Sequence, residues 1–261
     1  MESNDDKAIS TLTLTAKLKL FGDELSLSLT VQDTLGSAAD VLPIARALTE
    51  KAVAFGVETA QAAGETVSCR EGCGACCRQL IAISLPEAQR LTELVAEMPE
   101  ERRLAITERF AAIKAATDAV GMTEQIIRPK LGDPQAVMKL GLDYLKMRLP
   151  CPFLEKESCS IYTERPLICR EFLVTSPAEN CDDPKASTIT RVPLPVRNAR
   201  AMQQLDVQYS DAPLLALSLL PTALAAYPTQ HARRRVPELV QEFFEHLTSK
   251  TLPPAPGALM T

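Results

Sequence analysis

A nine-residue segment with four cysteines constrains this chain more than any other feature. It reads Cys69-Arg-Glu-Gly-Cys73-Gly-Ala-Cys76-Cys77. With eight cysteines in 261 residues, random placement would put only about 0.3 of a cysteine in such a window. A divalent ion or an iron–sulfur cluster needs several thiolates within about 2.3 Å, and one short loop can supply them. The segment therefore predicts a metal site, in which Gly72 and Gly74 let the backbone turn tightly and direct amide N–H groups at sulfur.

The other four cysteines form a second group, which begins 74 positions after Cys77. Thr163 is expected to cap a helix that starts near Arg165-Pro166 and holds Cys169 on rigid structure. Free cysteine also packs as a small hydrophobic residue, and this alternative stays open, most of all for Cys181. The candidate metal ligands are all eight cysteines: Cys69, Cys73, Cys76, Cys77, Cys151, Cys159, Cys169 and Cys181.

Composition narrows the setting of this site. Hydrophobic residues make up 46% and charged residues 23%, which is ordinary for a globular chain with a real core. A net charge of -5 argues against nucleic acid or anionic lipid as the main partner. Residues 1–6 are acidic and polar, unlike a secretory signal, and the apolar stretch 213–227 is shorter than the roughly 20 residues of a membrane span. We expect a cytoplasmic protein without a membrane segment, where clustered cysteines favour metal or redox chemistry over disulfides.

The hydropathy pattern predicts a mostly α fold with a minor β element (α+β). Residues 11–20 and 25–31 alternate apolar and polar around a turn at 21–24, which predicts a β-hairpin. Residues 37–63 carry apolar side chains at helical spacing and predict one long helix, bent near Pro43 unless that proline lies in its first turn.

Further helices are expected beyond the first cysteine segment. A short strand within 79–83 precedes a helix start at Ser84, with Pro86 in the first turn and Glu87 three residues on. Helices are predicted at 86–97, 100–120 and 134–148, with an extended stretch at 188–196. One or two buried helices are expected within 213–227, and an amphipathic C-terminal helix over 236–247. The predicted organisation is an N-terminal hairpin and helix extension (1–65), a helical cysteine-cluster metal-binding domain (66–182) and a mainly helical C-terminal extension (183–261).

Three motifs together resemble a known family. They are the segment 69–77, the tetrapeptide Cys151-Pro-Phe-Leu and the pattern Cys159-x-Ile-Tyr-x-x-Arg-Pro-x-x-Cys169-Arg. The combination is similar to the CxxCxxCC or YkgJ-type cysteine-cluster family, described as a zinc- or iron-chelating domain, and it covers roughly residues 66–182. The resemblance implies metal ligation by six cysteines: Cys73, Cys76, Cys77, Cys151, Cys159 and Cys169. Three residues separate Cys69 from Cys73 where the family pattern has two, and Cys181 lies where such proteins often have a further cysteine.

Charged residues near the cysteines have expected roles of their own. Four thiolates around Zn²⁺ or a [4Fe–4S] core leave a charge of about -2 per site. The neighbouring arginines are expected to offset this charge and to donate hydrogen bonds to sulfur, although Arg70 and Arg78 could equally be surface residues; the four are Arg70, Arg78, Arg165 and Arg170. Solvated positions are expected for His231 and His246, a turn or helix cap for Asp182-Asp183, and a solvated helix start, rather than an anion site, for 233–235.

The sequence leaves several functions open. We expect a metal-binding protein that holds an iron–sulfur cluster, [4Fe–4S] in preference, or zinc, and that serves as a redox centre. Adjacent Cys76 and Cys77 and the absence of repeated CxxC pairs differ from common zinc ribbons, which favours iron–sulfur. The alternatives are a metal-cluster-dependent enzyme for redox or group transfer, and a structural-zinc module that binds a protein partner through the N-terminal hairpin or the C-terminal helix.

Overall fold

The structure, a computed structural model, describes residues 10–20, 23–182, 188–209, 214–227 and 233–248. Within these ranges lie nine α-helices: α1 (Leu42–Ala62), α2 (Leu85–Glu97), α3 (Glu100–Ala119), α4 (Thr123–Ile127), α5 (Pro134–Lys146), α6 (Leu167–Glu171), α7 (Asn198–Tyr209), α8 (Leu220–Ala226) and α9 (Val236–Thr248). The strands of the same ranges form antiparallel pairs: β1 (Thr11–Leu20) with β2 (Asp23–Gln32), β3 (Leu35–Gly36) with β8 (Arg234–Arg235), β4 (Ala82–Ile83) with β7 (Leu215–Ala216), and β5 (Leu154–Glu155) with β6 (Ser158–Cys159). The predicted mostly helical fold with small β elements is confirmed.

The N-terminal hairpin follows the alternation in its sequence. Leu14 of β1 pairs with Leu29 of β2, and both pack toward the core of the molecule. On the opposite face the hydroxyl oxygens of Thr13 and Thr30 lie 3.1 Å apart. The predicted four-residue turn is too long, because β2 already begins at Asp23, which pairs with Leu20. Residues 21 and 22 lie outside the described part of the chain.

The long helix predicted over 37–63 is confirmed. Ser37 and Asp40 form a capping box at a 3₁₀ turn over Ala38–Val41, and α1 follows directly. Pro43 lies in the first turn of α1, where a missing N–H costs nothing. A bend at Pro43 was expected only if this proline lay beyond the first turn, and it does not.

The middle helices lie close to their predicted positions. The capping box is confirmed, since the Glu87 carboxylate accepts from the backbone N–H and the hydroxyl of Ser84 at 3.1 and 2.7 Å. Helices α2, α3 and α5 match the predictions for 86–97, 100–120 and 134–148 to within two residues. The expected cap at Thr163 is wrong, because that residue lies in a 3₁₀ turn and α6 starts four residues later, behind Pro166.

The C-terminal third contains more structure than its sequence suggests. Helix α7 was not predicted, since its apolar residues do not form a strong periodic stripe. Within the stretch predicted as extended, 188–196, Arg191 forms an isolated β-bridge with Val174. The apolar stretch 213–227 holds β7, a 3₁₀ turn and α8 in its described residues, and the predicted C-terminal helix is α9.

Two main hydrophobic clusters hold these elements together. One joins the middle helices to β4, β7 and α8, and contains an edge-to-face pair of Phe110 and Phe153 with centroids 5.8 Å apart. The other joins α1, α7 and α9, with Met202 and Phe243 fully buried. Cys151, Cys159 and Cys169 lie at the margin of the first cluster. In the described ranges, none of the helices has both the length and the hydrophobicity needed to cross a bilayer.

Candidate metal centre

Six cysteines line one cavity of about 70 Å³. Since a buried water needs roughly 10–15 Å³, this space exceeds that of a single water molecule several-fold. The six are Cys73, Cys76, Cys77, Cys151, Cys159 and Cys169, the same set that the family resemblance implied. Cys69 and Cys181 are not in the cavity wall and pack beside it against Phe172 and Val174. The structure thus brings the two cysteine groups together across the sequence gap.

The first cysteine segment is built from tight turns. Cys76 and Cys77 lie in a 3₁₀ turn over Ala75–Arg78. Gly72 has φ +87°, which favours glycine. Gly74 lies so close to the second segment that a Cβ atom there would be 2.7 Å from Glu157 Oε2 and 2.8 Å from Leu154 Cδ1. Both glycines are therefore needed for the path of the backbone.

The amide groups of this segment do not serve the expected purpose. The N–H groups of Cys73 and Cys77 donate to the carbonyls of Arg70 and Gly74 at 3.1 and 3.0 Å, and so close turns. Amides that reach sulfur come from other segments: Val174 N donates to Cys69 Sγ at 3.4 Å, and backbone hydrogen bonds from Phe153 and Ile161 reach Cys151 and Cys159. The prediction that the glycines direct their local amides at sulfur is wrong at the amides of Cys73 and Cys77.

A backbone hydrogen bond joins the second cysteine group to the first. In it, Cys151 N donates to the carbonyl of Cys77 at 2.8 Å. The β5–β6 hairpin then carries Cys159, and its connecting residues Lys156 and Glu157 both have positive φ, 50° and 60°. Arg109 of α3 holds this hairpin by donating to the carbonyl of Pro152 at 3.0 Å and pairing with Glu155.

Helix α6 positions Cys169 and is fixed at both ends by buried carboxylates. Glu87 accepts the N–H of Leu167 at 2.8 Å, and Glu171 accepts the N–H of Ala199 at 3.1 Å. A helix of five residues has little stability of its own. Its orientation therefore depends on these two tertiary hydrogen bonds.

Cys181 lies in a 3₁₀ turn over Ala178–Asp182 and is 3% exposed. The side-chain amide of Gln79 donates to its carbonyl at 3.3 Å. This hydrogen bond connects Cys181, at the end of the second cysteine group, to Gln79, two residues beyond the first group.

Burial disfavours the ionised form of most of these thiols. Desolvation raises the pKa of Cys69, Cys151, Cys159 and Cys169, and it raises the pKa of Cys181 to about 11. A hydrogen bond between Cys76 and Cys77 raises the pKa of the former and lowers that of the latter. A bound cation reverses this balance, because it stabilises the thiolate directly. Binding of a cation by these thiols would therefore release their protons.

Nearby thiols also act on one another through space. The pKa of Cys169, raised first by burial, is raised further by Cys151, Cys77 and Cys159. For Cys181, burial again comes first, and the additional thiols are Cys69 and Cys73.

The four arginines differ in their surroundings. Arg78 forms a two-pronged ion pair with Glu157 at 2.6 and 3.0 Å, and Arg170 donates to the carbonyl of Arg165 at 2.9 Å. The hydrogen bonds that the structure describes for these two go to oxygen, so their expected donation to sulfur is not what it shows. Arg165 stacks on Tyr162 at 4.0 Å. Both Arg165 and the more exposed Arg70 line the cavity.

The other predicted polar residues lie away from the cavity. His246 hydrogen-bonds Gln208 at 3.1 Å. In the run 233–235, Arg233 donates to the carbonyl of Leu35 at 2.8 Å, and Arg235 pairs with Asp33 at 2.9 Å. Asp182 ends a 3₁₀ turn, and His231 and Asp183 lie outside the described residues.

Several residues of the cavity wall were not identified from the sequence, among them three buried polar ones. Tyr144, Gln79 and Ser218 are almost fully buried and line the cavity with the thiols. Gln79 Oε1 has no hydrogen-bond partner among the described residues, and burial raises the pKa of Tyr144 to about 12. The only sequence signal was Ser218, a polar residue that interrupts an apolar run.

The donor set fits a soft metal. Sulfur provides six of the lining groups, and the described lining residues include no carboxylate or imidazole. Soft thiolates suit zinc and iron–sulfur clusters. In the part of the chain that the structure describes, no three Cys, His, Asp or Glu side chains already have the geometry of a metal site, so the ligand set remains a prediction.

Comparison with known families agrees with this chemistry. Residues 68–188 match the model of the CxxCxxCC family, described as "Putative zinc- or iron-chelating domain". All eight cysteines lie within the matched segment, which is just under half of the chain, and the resemblance read from the motifs is confirmed there. No curated protein and no solved structure matches the chain significantly.

Proposed function

We propose that this chain is a metal-binding protein whose cysteine thiolates hold an iron–sulfur cluster, [4Fe–4S] in preference, as an electron-transfer centre. The observation that carries the proposal is the convergence of six thiols on one cavity. They come from three separate elements: the 3₁₀ turn with its preceding loop, the β5–β6 segment and α6. Free cysteines without a metal role have no reason to meet in this way.

The wall of the cavity supports a redox role. Apolar side chains adjoin the thiols, among them Ile81, Phe153 and Leu217. When bound, an iron–sulfur cluster supplies one-electron transfer, with a potential set by solvent exposure and by nearby charge. Here the apolar side chains form part of the cavity wall, and the Arg165 guanidinium contributes positive charge to the same wall.

Structural zinc is the second candidate, favoured by the weakness of the local structure. The β5 and β6 strands have two residues each, and α6 has five. Such elements gain stability when a metal ties them together, because binding free energy then contributes to folding.

Metal and sulfide analysis of anaerobically purified protein tests the proposal. An iron–sulfur centre gives broad visible absorption with iron and acid-labile sulfide in similar amounts. Colourless protein that carries zinc alone would refute the electron-transfer assignment and support the second candidate. The variants Cys76→Ser and Cys77→Ser should lose metal, whereas Ser160→Ala, next to Cys159, should retain it. Unchanged metal content in both cysteine variants would show that the ligand assignment is wrong.

The proposal extends to the domain organisation, the location of the protein and a protein partner. We place metal binding in residues 66–182, with 1–65 and 183–261 as extensions, in a cytoplasmic protein. A protein partner would meet the β1–β2 hairpin, where Leu12 is 41% exposed, or the outer face of α9. Co-purification of a partner by the full chain, lost when residues 1–36 are deleted, would support the hairpin as its binding surface.

A further inference from the structure

The eight thiols divide into two sets of four by their contacts. Three members of the first set pack at the margin of the main hydrophobic cluster, and three members of the second lie around Phe172 and Val174. The first set is Cys77, Cys151, Cys159 and Cys169. The second set is Cys69, Cys73, Cys76 and Cys181.

Direct contacts connect the members of the first set. Cys151, Cys159 and Cys169 pack against the same buried cluster. Cys77 joins them through its carbonyl, which accepts the N–H of Cys151 at 2.8 Å. The thiols of Cys77, Cys151 and Cys159 also act electrostatically on Cys169, and Cys169 in turn acts on Cys76 of the other set.

Separate contacts connect the second set. Cys69 and Cys76 pack with Cys181 against Phe172 and Val174. The 3₁₀ turn that carries Cys76 is tied to the turn that carries Cys181 by the 3.3 Å hydrogen bond from Gln79. Cys73 belongs here as an electrostatic neighbour of both Cys69 and Cys181.

The adjacent pair Cys76-Cys77 lies where the two sets meet. Consecutive residues of a 3₁₀ turn are about 120° apart around its axis, since the turn has 3.0 residues. A hydrogen bond joins their two thiols, so the two side chains leave adjacent positions of the turn and meet at the boundary between the sets. One short turn can supply a ligand to each of two neighbouring sites, which accounts for a pair of adjacent cysteines.

We propose that the chain holds two neighbouring metal sites of four thiolates each, one formed by Cys77, Cys151, Cys159 and Cys169 and the other by the remaining four cysteines. Four thiolates are the usual complement of a zinc ion or an iron–sulfur cluster. This inference rests on the proposed metal binding. The competing arrangement is a single site formed by the six cavity-lining thiols, without Cys69 and Cys181.

Zinc stoichiometry of paired variants distinguishes the two arrangements. The full chain is reconstituted with zinc alone, and bound zinc is counted per chain. The double variant Cys69→Ser/Cys181→Ser should lower the count from two to one, and Cys151→Ser/Cys159→Ser should do the same. The variant Ser68→Ala/Ser160→Ala alters two neighbouring residues without touching a thiol and should keep two zinc ions.

Alkylation of the wild-type protein gives a second readout that does not depend on how the variants fold. Mass spectrometry should find eight cysteines protected by zinc, against six for a single cavity site. One zinc per chain with six protected cysteines, or an unchanged count in Cys69→Ser/Cys181→Ser, would overturn the two-site inference while metal binding stands. Wild-type protein that binds no metal would overturn the proposed function as well.

Discussion

The carboxylate of Glu87 accepts the backbone N–H of Leu167 at 2.8 Å, across 80 positions of sequence. Its other oxygen accepts from the backbone and the hydroxyl of Ser84. One buried side chain thus caps two helices, α2 and α6. Since α6 carries Cys169, the placement of that thiol depends on a residue outside every cysteine motif.

Replacing this carboxylate should destabilise the protein. Glu87→Ala leaves buried N–H groups of Ser84 and Leu167 without acceptors, at a cost of roughly 2–4 kcal/mol in the free energy of unfolding. Urea denaturation measures the loss. Glu93→Ala removes a largely exposed carboxylate from the same helix and should change stability by less than about 0.5 kcal/mol. Equal stability of the two variants would contradict the double-capping role.

The pH dependence of stability should reveal Asp206. Burial raises its pKa to about 7, and it accepts the N–H of Leu85 at 2.6 Å; an unfolded chain has an aspartate pKa of about 3.9. The folded state therefore holds its proton more tightly. The resulting stabilisation is complete below about pH 4 and is lost as the pH rises toward 7.

Asp206→Asn removes this titration and keeps an oxygen that can accept from Leu85. The free energy of unfolding should fall less steeply between pH 4 and 7 than in the wild type, by up to about 4 kcal/mol over the interval. A residual slope should remain, since burial also raises the pKa of Glu87. Denaturation at several pH values measures this slope, with Glu58→Gln on the exposed face of α1 as the control. Identical slopes for Asp206→Asn and the wild type would refute the prediction.

The glycines of the first cysteine segment should differ in their tolerance of alanine. At Gly72 an added Cβ has no atom within 4 Å, so Gly72→Ala suffers only the strain of positive φ, about 1 kcal/mol. At Gly74 the Cβ would come 3.1 Å from Glu157 Cα as well as close to two side chains. Gly74→Ala should therefore destabilise more and separate the two cysteine groups, which thermal unfolding and zinc affinity would measure. Greater damage from Gly72→Ala would show that the close approach is not required.

One face of the hairpin should contribute to stability and the other should not. Leu29 packs with the cluster around α9, whereas Ser28 is exposed on the opposite face. Leu29→Ala should lower the free energy of unfolding by roughly 1–2 kcal/mol, because it removes partly buried apolar area. Ser28→Ala should leave it within about 0.5 kcal/mol. Equal effects in chemical denaturation would mean that the hairpin does not pack on the rest of the chain.

Local patterns predicted the elements whose stability is local. The alternation of β1 and β2, the capping box at Ser84 and the apolar stripe of α9 each have a periodic or short-range signature. The cysteine spacing likewise predicted thiols of which six line one cavity. These features can be recognised because neighbouring residues determine them.

The cavity wall could not be predicted because distant segments create it. Tyr144 and Ser218 reach the thiols through the packing of α5 and of the chain before α8, which no local pattern encodes. The five-residue α6 likewise exists through the contacts of Glu87 and Glu171 rather than through its own propensity. The amides of Cys73 and Cys77 had competing partners, and nearby carbonyls proved to be the acceptors.

The contact between Cys151 N and the Cys77 carbonyl has a consequence for biosynthesis. Ribosomes add about 5–20 residues per second, so the 74 positions between these residues take roughly 4–15 s to translate. Throughout that interval the first four thiols have left or are leaving the ribosome, while the partners that bury them do not yet exist. A metal site that uses both groups, as proposed, could be completed only after the second group is synthesised, and the first four thiols are open to oxidants until then.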